Sequence, residues 1–273
     1  MRLETAAPAA KGPPALGFGH WPRRHPDRAA LERLADIAPF DLLDGDEMEA
    51  LLHDAAVCHN TEAATLFMAR GPAEYLHVVM RGQVVLHGPD GVIVDGVAAP
   101  AILDAADLFT GRHVFTAEAL TGSLVVRIPR TDVLALLQSS SPLAHDFLGL
   151  VAAATQTLAD ALMAQRCLTS VQRLATFLLE QAAKAGAEHS FVLDIPKKAI
   201  AGQLGITPAH FARSLTRLVS AGLVGRLNRN TIVLNNISAL RALLEGELGI
   251  ATQDGSTAQH KQLAAYRTFK SLS

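Results

Sequence analysis

The spacing of apolar residues changes along the chain, and each change marks a different kind of element. Leu31, Leu34 and Ile37 recur at helical steps and predict a short helix over 27–36. Met48, Leu51 and Leu52 predict a second over 44–52. Short apolar runs then alternate with turn residues: Ala55–His59, Thr65–Met68, Tyr75–Met80, Gln83–His87, Val92–Val97, Val114–Leu120 and Leu124–Ile128. Gly71, Gly82, Asp90-Gly91, Gly111 and Gly122 separate them. Short, evenly spaced strands of this kind predict a compact β-barrel or jelly roll. Asp90-Gly91 marks a hairpin, because both residues tolerate the positive φ of a tight turn.

After a short helix over Thr131–Gln138 comes Pro142. From there to Arg166, Gly149 is the one glycine or proline. Phe147, Leu150, Val151, Ala154, Leu158, Ala161 and Leu162 fall at three- and four-residue steps. The pattern predicts a helix of ~24 residues, ~36 Å long. An apolar stripe on so long a helix tends to meet a second copy of itself. Phe147, Leu150, Val151, Ala154, Leu158 and Ala161 are therefore the expected homodimer interface, the alternative being a helix packed entirely against its own barrel.

Thr169-Ser-Val-Gln172 has the form of a capping box, so a further helix starts there and runs to about Ala185, where Gly186 stops it. The short run Phe191–Leu193 precedes Pro196, which opens a helix over Lys197–Leu204. Gly205 ends that helix, Thr207 caps the next and Pro208 occupies its first turn. This helix reaches about Ala221, with Phe211, Leu215 and Leu218 on its core face. Two short runs then flank the turn Asn228-Arg229-Asn230. Helix, tight glycine turn, helix and hairpin make a winged helix-turn-helix, whose second helix presents its outer face to a DNA major groove.

The expected architecture is α+β. It comprises a flexible arm (1–27), a barrel or jelly-roll domain (28–140), a long dimerisation helix (141–167), a winged helix-turn-helix domain (168–249) and a polar tail (250–273), in which Lys261–Lys270 could form a short helix.

Charge sharpens this division. Residues 28–167 carry 8 basic and 18 acidic side chains, a net of −10, whereas residues 168–248 carry 9 and 5, a net of +4. The basic module suits a polyanion and the acidic one does not. In the winged helix, His210, Arg213, Ser214 and Arg217 are the expected outward residues of the recognition helix. Arg213 can donate two hydrogen bonds to guanine O6 and N7. Thr207, Lys197 and Lys198 are placed for phosphates, which set affinity and register.

The two cysteines, Cys58 and Cys167, exclude a disulfide framework and a four-thiolate zinc site. Cys167 falls at the hinge before the winged domain, where oxidation could act on DNA binding; each cysteine also reads as a plain packed residue. No uninterrupted apolar run reaches ~18 residues, and the first 27 residues lack an apolar core followed by a cleavage site. A cytoplasmic protein without a membrane span is expected. An enzyme on such a barrel would need clustered metal ligands such as His-x-His, and the strands carry none, so no catalytic or metal-binding residues are expected. The remaining alternative is an interaction protein that binds no DNA.

Residues from about 35 to 245 resemble the CRP/FNR superfamily of transcription regulators. Tyr75-Leu-His-Val-Val-Met-Arg-Gly82-Gln-Val looks like a strand pair of its β-roll, and Arg173-Leu-Ala-Thr-Phe-Leu-Leu like the helix that opens its DNA-binding domain. The stretch from Ile195 through Arg213 to Leu218 is similar to its helix-turn-helix. The resemblance implies a cyclic-nucleotide-binding-like β-roll, a dimer, a palindromic double-stranded operator and contact with RNA polymerase. The family's recognition helix usually carries a glutamate four residues before its arginine; here that position is Ala209, so the half-site is expected to differ. The Lys197-Lys198 and Thr207-Pro208 stretches resemble the branch that responds to nitrogen oxides, several members of which are implicated in haem-based nitric oxide sensing.

The resemblance also tests the signal. A cyclic-nucleotide pocket needs a glutamate for the ribose and an arginine for the phosphate. The corresponding stretch holds Phe115-Thr116-Ala117 and no glutamate, and an apolar ring cannot balance a buried phosphate. Arg112 could substitute only from an unusual geometry. An iron–sulfur cluster needs four thiolates, which two cysteines do not supply. Haem needs an axial ligand, for which His59, His77, His87, His113, His145, Met68 and Met80 are available. His77, His113, Phe115 and His145 are the expected pocket residues, with haem, another small apolar or anionic ligand, and no cofactor all left open.

Overall fold

A computed structural model describes residues 33–244 except 89, 90, 104, 187, 188 and 229. The expected arm, most of the 27–36 helix, Asp90, Arg229 and the tail with its Lys261–Lys270 segment lie outside the described residues.

A short 3-10 turn, Phe40–Leu42, leads into α1 (Gly45–Leu52). The Asp44 carboxylate accepts a hydrogen bond from the Glu47 amide at 2.8 Å, and Glu47 accepts one from the Asp44 amide at 3.2 Å. This reciprocal cap satisfies donors that the first helical turn would leave unpaired. Eight strands follow: β1 (Ala56–His59), β2 (Ala64–Phe67), β3 (Tyr75–Arg81), β4 (Gln83–His87), β5 (Ile93–Ala98), β6 (Ala101–Leu103), β7 (Thr116–Ala119) and β8 (Leu124–Pro129). A one-turn helix, α2 (Asp107–Thr110), lies between β6 and β7. β6 and α2 are too short to show a period and had no sequence signature.

The strands form two antiparallel four-stranded sheets, ordered β1-β8-β3-β6 and β2-β7-β4-β5. Alternate residues of β3 serve two different cores. Leu76 and Val78 pack with Leu34, Phe40, Leu51, Leu143 and Phe147 beneath the helices. Val79 packs with Phe67, Val84, Leu86, Ala117 and Val125 between the sheets. Burial on both faces explains why β3 reads as a continuous apolar run.

Two helices follow, α3 (Arg130–Ser139) and α4 (Ser141–Cys167). Only Leu143, Phe147 and Cys167 of the 27 residues of α4 are buried. Phe147 was expected at a dimer interface, but it is 1% exposed and meets Phe40 edge-on at 6.3 Å. Its place is the β-roll core, because the first turns of α4 still lie on that domain. Further along, Leu148, Leu158 and Leu162 are 66%, 68% and 51% exposed. By length and composition, α4 is the one helix among the described residues that could cross a membrane. No uninterrupted apolar run announced that, because Asp146, Gln156 and Asp160 break the sequence of apolar residues.

The last unit comprises α5 (Ser170–Lys184), β9 (Ser190–Val192), α6 (Lys197–Gln203), α7 (Pro208–Ser220), β10 (Val224–Arg226), β11 (Thr231–Leu234) and α8 (Ile237–Leu244). Its three strands pair in the order β10-β11-β9. Leu174, Leu178, Ile200, Leu215, Leu218, Ile232 and Leu240 share one core. Thr169 and Gln172 form the capping box that the sequence predicts for α5, with the Thr169 hydroxyl accepting from the Gln172 amide at 3.3 Å.

Candidate nucleic-acid interface and sensor core

The turn between α6 and α7 is closed by Gly205 at φ +60°, in the left-handed region where a side chain is strained. A Cβ there would also come within 2.8 Å of the Gln165 side chain, so this turn sits directly on the end of α4. The Arg173 guanidinium donates to the Leu204 carbonyl at 2.7 Å and braces the turn from α5. Thr207 caps α7 by accepting from the His210 amide at 3.2 Å.

Phe211, Leu215 and Leu218 bury one face of α7 against the domain core. His210, Arg213 and Arg217 are exposed on the other face. Lys198 and Thr207 are exposed as well, and Lys197 is half-buried. Ser214 corrects the expectation for this helix: it is 2% exposed, and its hydroxyl bonds Ser170 Oγ at 3.1 Å. It lies one residue from Leu215 on the inner side of the helical wheel, so it joins α7 to α5 and does not face outwards.

Two features of this domain escaped the sequence reading. Arg226 is exposed on β10, beside a turn in which Asn228 Oδ1 accepts from the amides of Asn230 and Thr231. The stretch from Ile195 to Leu244 contains seven basic residues and no acidic one. An acid-free run of that length concentrates positive potential on the module that carries the exposed helix. A plain count of acidic positions would have found it.

In the β-roll, the structure brings together two of the four expected pocket residues. His77 and His113 are 3% and 5% exposed, with ring centroids 6.2 Å apart. His113 Nδ1 bonds Asp107 Oδ2 at 3.0 Å, and Phe67 stacks on its ring with centroids 3.7 Å apart. Burial, reinforced by His113 and Arg127, pushes the His77 imidazole down to about 3. Arg127 lies 4.8 Å from the Tyr75 ring centre. Burial pushes the Cys58 thiol up to about 11, against the opposing pull of Arg127. Phe115 packs at the edge of the core between the sheets. His145 does not join the cluster; it is exposed on α4, on the turn between the buried Leu143 and Phe147.

Haem does not fit this packing. Phe67 lies flat on His113, His77 is packed against the same ring at 5.0 Å, and a porphyrin on either imidazole would have to displace them. Arg112 does not supply the phosphate charge inside the roll, because it is exposed and donates to the Arg70 carbonyl at 3.0 Å.

A β-roll, a long exposed helix and a basic winged helix define a DNA-binding regulator. Residues 172–243 match the Crp-like helix-turn-helix domain, and residues 60–140 match the cyclic nucleotide-binding domain. The chain is 29% identical over 180 residues to the nitrogen fixation regulation protein FixK of Azorhizobium caulinodans, spanning 63% of this chain and 72% of that protein. FixK2 of Bradyrhizobium japonicum shares its fold, with a TM-score of 0.61 and 23% identity over 69% of this chain and 96% of that one. CooA of Carboxydothermus hydrogenoformans (a mutant form) does so too, at 0.58 and 15% over 78% and 94%. The chain belongs to the CRP/FNR family of DNA-binding transcription regulators, which are not enzymes.

Proposed function

We propose that the chain is a homodimeric one-component regulator that reads a palindromic operator through two copies of α7. The observation that carries this reading is the division of α7: Phe211, Leu215 and Leu218 are buried, and His210, Arg213 and Arg217 are left exposed. Arg213 donates to a guanine edge, while Lys197, Lys198 and Thr207 hold phosphates. The exposed Leu148, Leu158 and Leu162 of α4 favour a second copy of that helix as the dimer contact, joined by Leu150, Val151, Ala154 and Ala161. Two recognition helices in such a dimer meet half-sites about one DNA turn apart, ~34 Å.

The signal acts on the β-roll and is not a cyclic nucleotide, since the apolar Phe115 packs at the edge of the core between the sheets and Arg112 is turned to backbone. A haem-borne nitric oxide signal is not part of this reading, because Phe67 fills the space against His113. The regulator works in the cytoplasm, where it meets operator DNA and RNA polymerase.

Selection from a random duplex pool with the full-length chain tests the reading. Inverted repeats with a constant centre-to-centre spacing are expected. Recovery of single half-sites alone, or salt-sensitive binding with no enrichment, would overturn it.

A further inference from the structure

The covalent join between α4 and α5 is short: Leu168 and Thr169, both extended, are the only residues between the two helices. A two-residue join leaves several torsions free, so non-covalent contacts must decide where α7 points relative to α4. Among the described residues, two such contacts stand out. One is the seat of Gln165 on the glycine turn. The other lies just before that turn in the chain, where α6 is laid against β5, an edge strand of the β-roll.

This second contact is built on two glycines. A Cβ at Gly96 would stand 2.8 Å from the Ala199 Cβ, and one at Gly202 would run into the backbone carbonyl of Ile93. Both lie well inside ordinary contact distance. Gly202 also stands in a helix, where glycine is disfavoured relative to alanine, so its local cost is offset by the close approach it permits. Gln203 then reaches across the interface, donating its side-chain amide to the Asp95 carboxylate and, at 2.9 Å, to the Gly96 carbonyl. The Gly96 amide donates to Asp95 at 2.7 Å. The contact leaves His210, Arg213 and Arg217 exposed, so it is compatible with bound DNA.

We infer that this glycine-packed clasp between β5 and α6 orients α7 on the β-roll and so sets the half-site spacing that the dimer accepts. The inference rests on the dimeric, palindrome-reading function proposed above. Each recognition helix is pre-oriented, and binding a correctly spaced pair does not have to order a swinging domain. Gly96, Gly202 and Gln203 are positioning residues that touch no DNA.

The test uses the full-length chain and the variants Gly202→Ala, Gly96→Ala and Gln203→Ala. The first readout is hydrogen exchange of β5 and α6. The second is affinity for a series of duplexes carrying two copies of the selected half-site at increasing separation. Alanine favours a helix interior, so Gly202→Ala keeps α6 intact, and unchanged exchange in α5 and α7 checks the fold. Gln203→Ala removes the hydrogen bonds without adding bulk. The expected result is faster exchange in β5 and α6, a flattened spacing optimum, loss of about tenfold in affinity at that optimum, and little change for a single half-site. Unchanged exchange in all three variants would overturn the clasp. Faster exchange with an unaltered spacing optimum would overturn its role. A wild-type chain that prefers no spacing would overturn the dimer reading, and the spacing role with it, while the exchange comparison still reports on the clasp itself.

Discussion

The Ser214 hydroxyl in α7 bonds the Ser170 hydroxyl in the first turn of α5 at 3.1 Å, with Ser214 2% exposed. The neighbouring Arg213 is exposed. Adjacent residues on one helix are therefore assigned opposite duties, and the two substitutions should separate. Ser214→Ala leaves Ser170 without its partner, and is expected to cost ~1 kcal/mol of stability while leaving the selected half-site unchanged. Arg213→Ala should leave the melting temperature nearly unaltered and relax preference at one base pair by ~1–3 kcal/mol. Thermal melts paired with duplex selection measure both. A changed half-site in Ser214→Ala would contradict this assignment.

Leu158 is 68% exposed at the middle of α4, too far along to reach the β-roll core that holds Phe147. Burying a leucine side chain is worth ~1.5–3 kcal/mol, and a symmetric interface counts it twice. Leu158→Glu keeps a good helix former at the position and places two like charges across the proposed seam. Sedimentation equilibrium should show the variant shifted from dimer to monomer with unchanged helix content. Its affinity for a paired half-site should fall by at least about tenfold, since the second contact becomes independent. A variant that sediments as the wild type would place the dimer contact elsewhere.

The legible parts of this chain were those with a period or a capping residue. The β4 run, the Thr169–Gln172 cap and the Gly205 turn each carry a local signature that tertiary packing did not override. Phe147 and Leu158 show where the sequence was ambiguous. Both lie on the apolar stripe of α4, yet one is buried in the β-roll and the other is exposed, because burial depends on how far the neighbouring domain extends. Ser214 was misplaced for a related reason: a small polar residue at the border of a helix face reads as outward until a partner such as Ser170 appears. The His113–Asp107 pair joins a loop residue to a one-turn helix that has no period to detect. Gly202 did leave a signal, since a glycine inside a predicted helix marks a close backbone approach.

Cys58 is fully buried on β1, and burial holds its thiol near 11 despite the adjacent Arg127 guanidinium. At pH 8 only about a thousandth of such a group is thiolate, the reactive form. In native protein, reaction of Cys58 with a disulfide-exchange reagent at pH 8 should be slow, and it should become rapid in denaturing urea. Peptide mapping after a timed quench distinguishes Cys58 from Cys167. Prompt modification of Cys58 in the native protein would show that β1 opens readily, and would put a thiol-based response back among the candidate signals.

His77 links the β-roll core to pH. Its imidazole is 3% exposed and held down to about 3, against about 6.5 for a free histidine. The folded chain therefore keeps His77 neutral over a range in which the unfolded chain protonates it. The sign follows: the stability associated with neutral His77 is complete above about pH 6.5 and is lost as pH falls from there towards 3. From pH 7 to pH 5 the loss is about 2 kcal/mol. Asp95 works in the opposite direction, since burial raises its carboxyl and the folded state gains protons more easily there. The comparison that isolates His77 is therefore wild type against His77→Gln, which cannot titrate and is close in size. Urea unfolding at the two pH values should show wild type losing about 2 kcal/mol more than the variant. Equal losses would mean that His77 is solvated or protonated in the native protein. The polar core of the β-roll would then be open to water, and with it to a small-molecule signal.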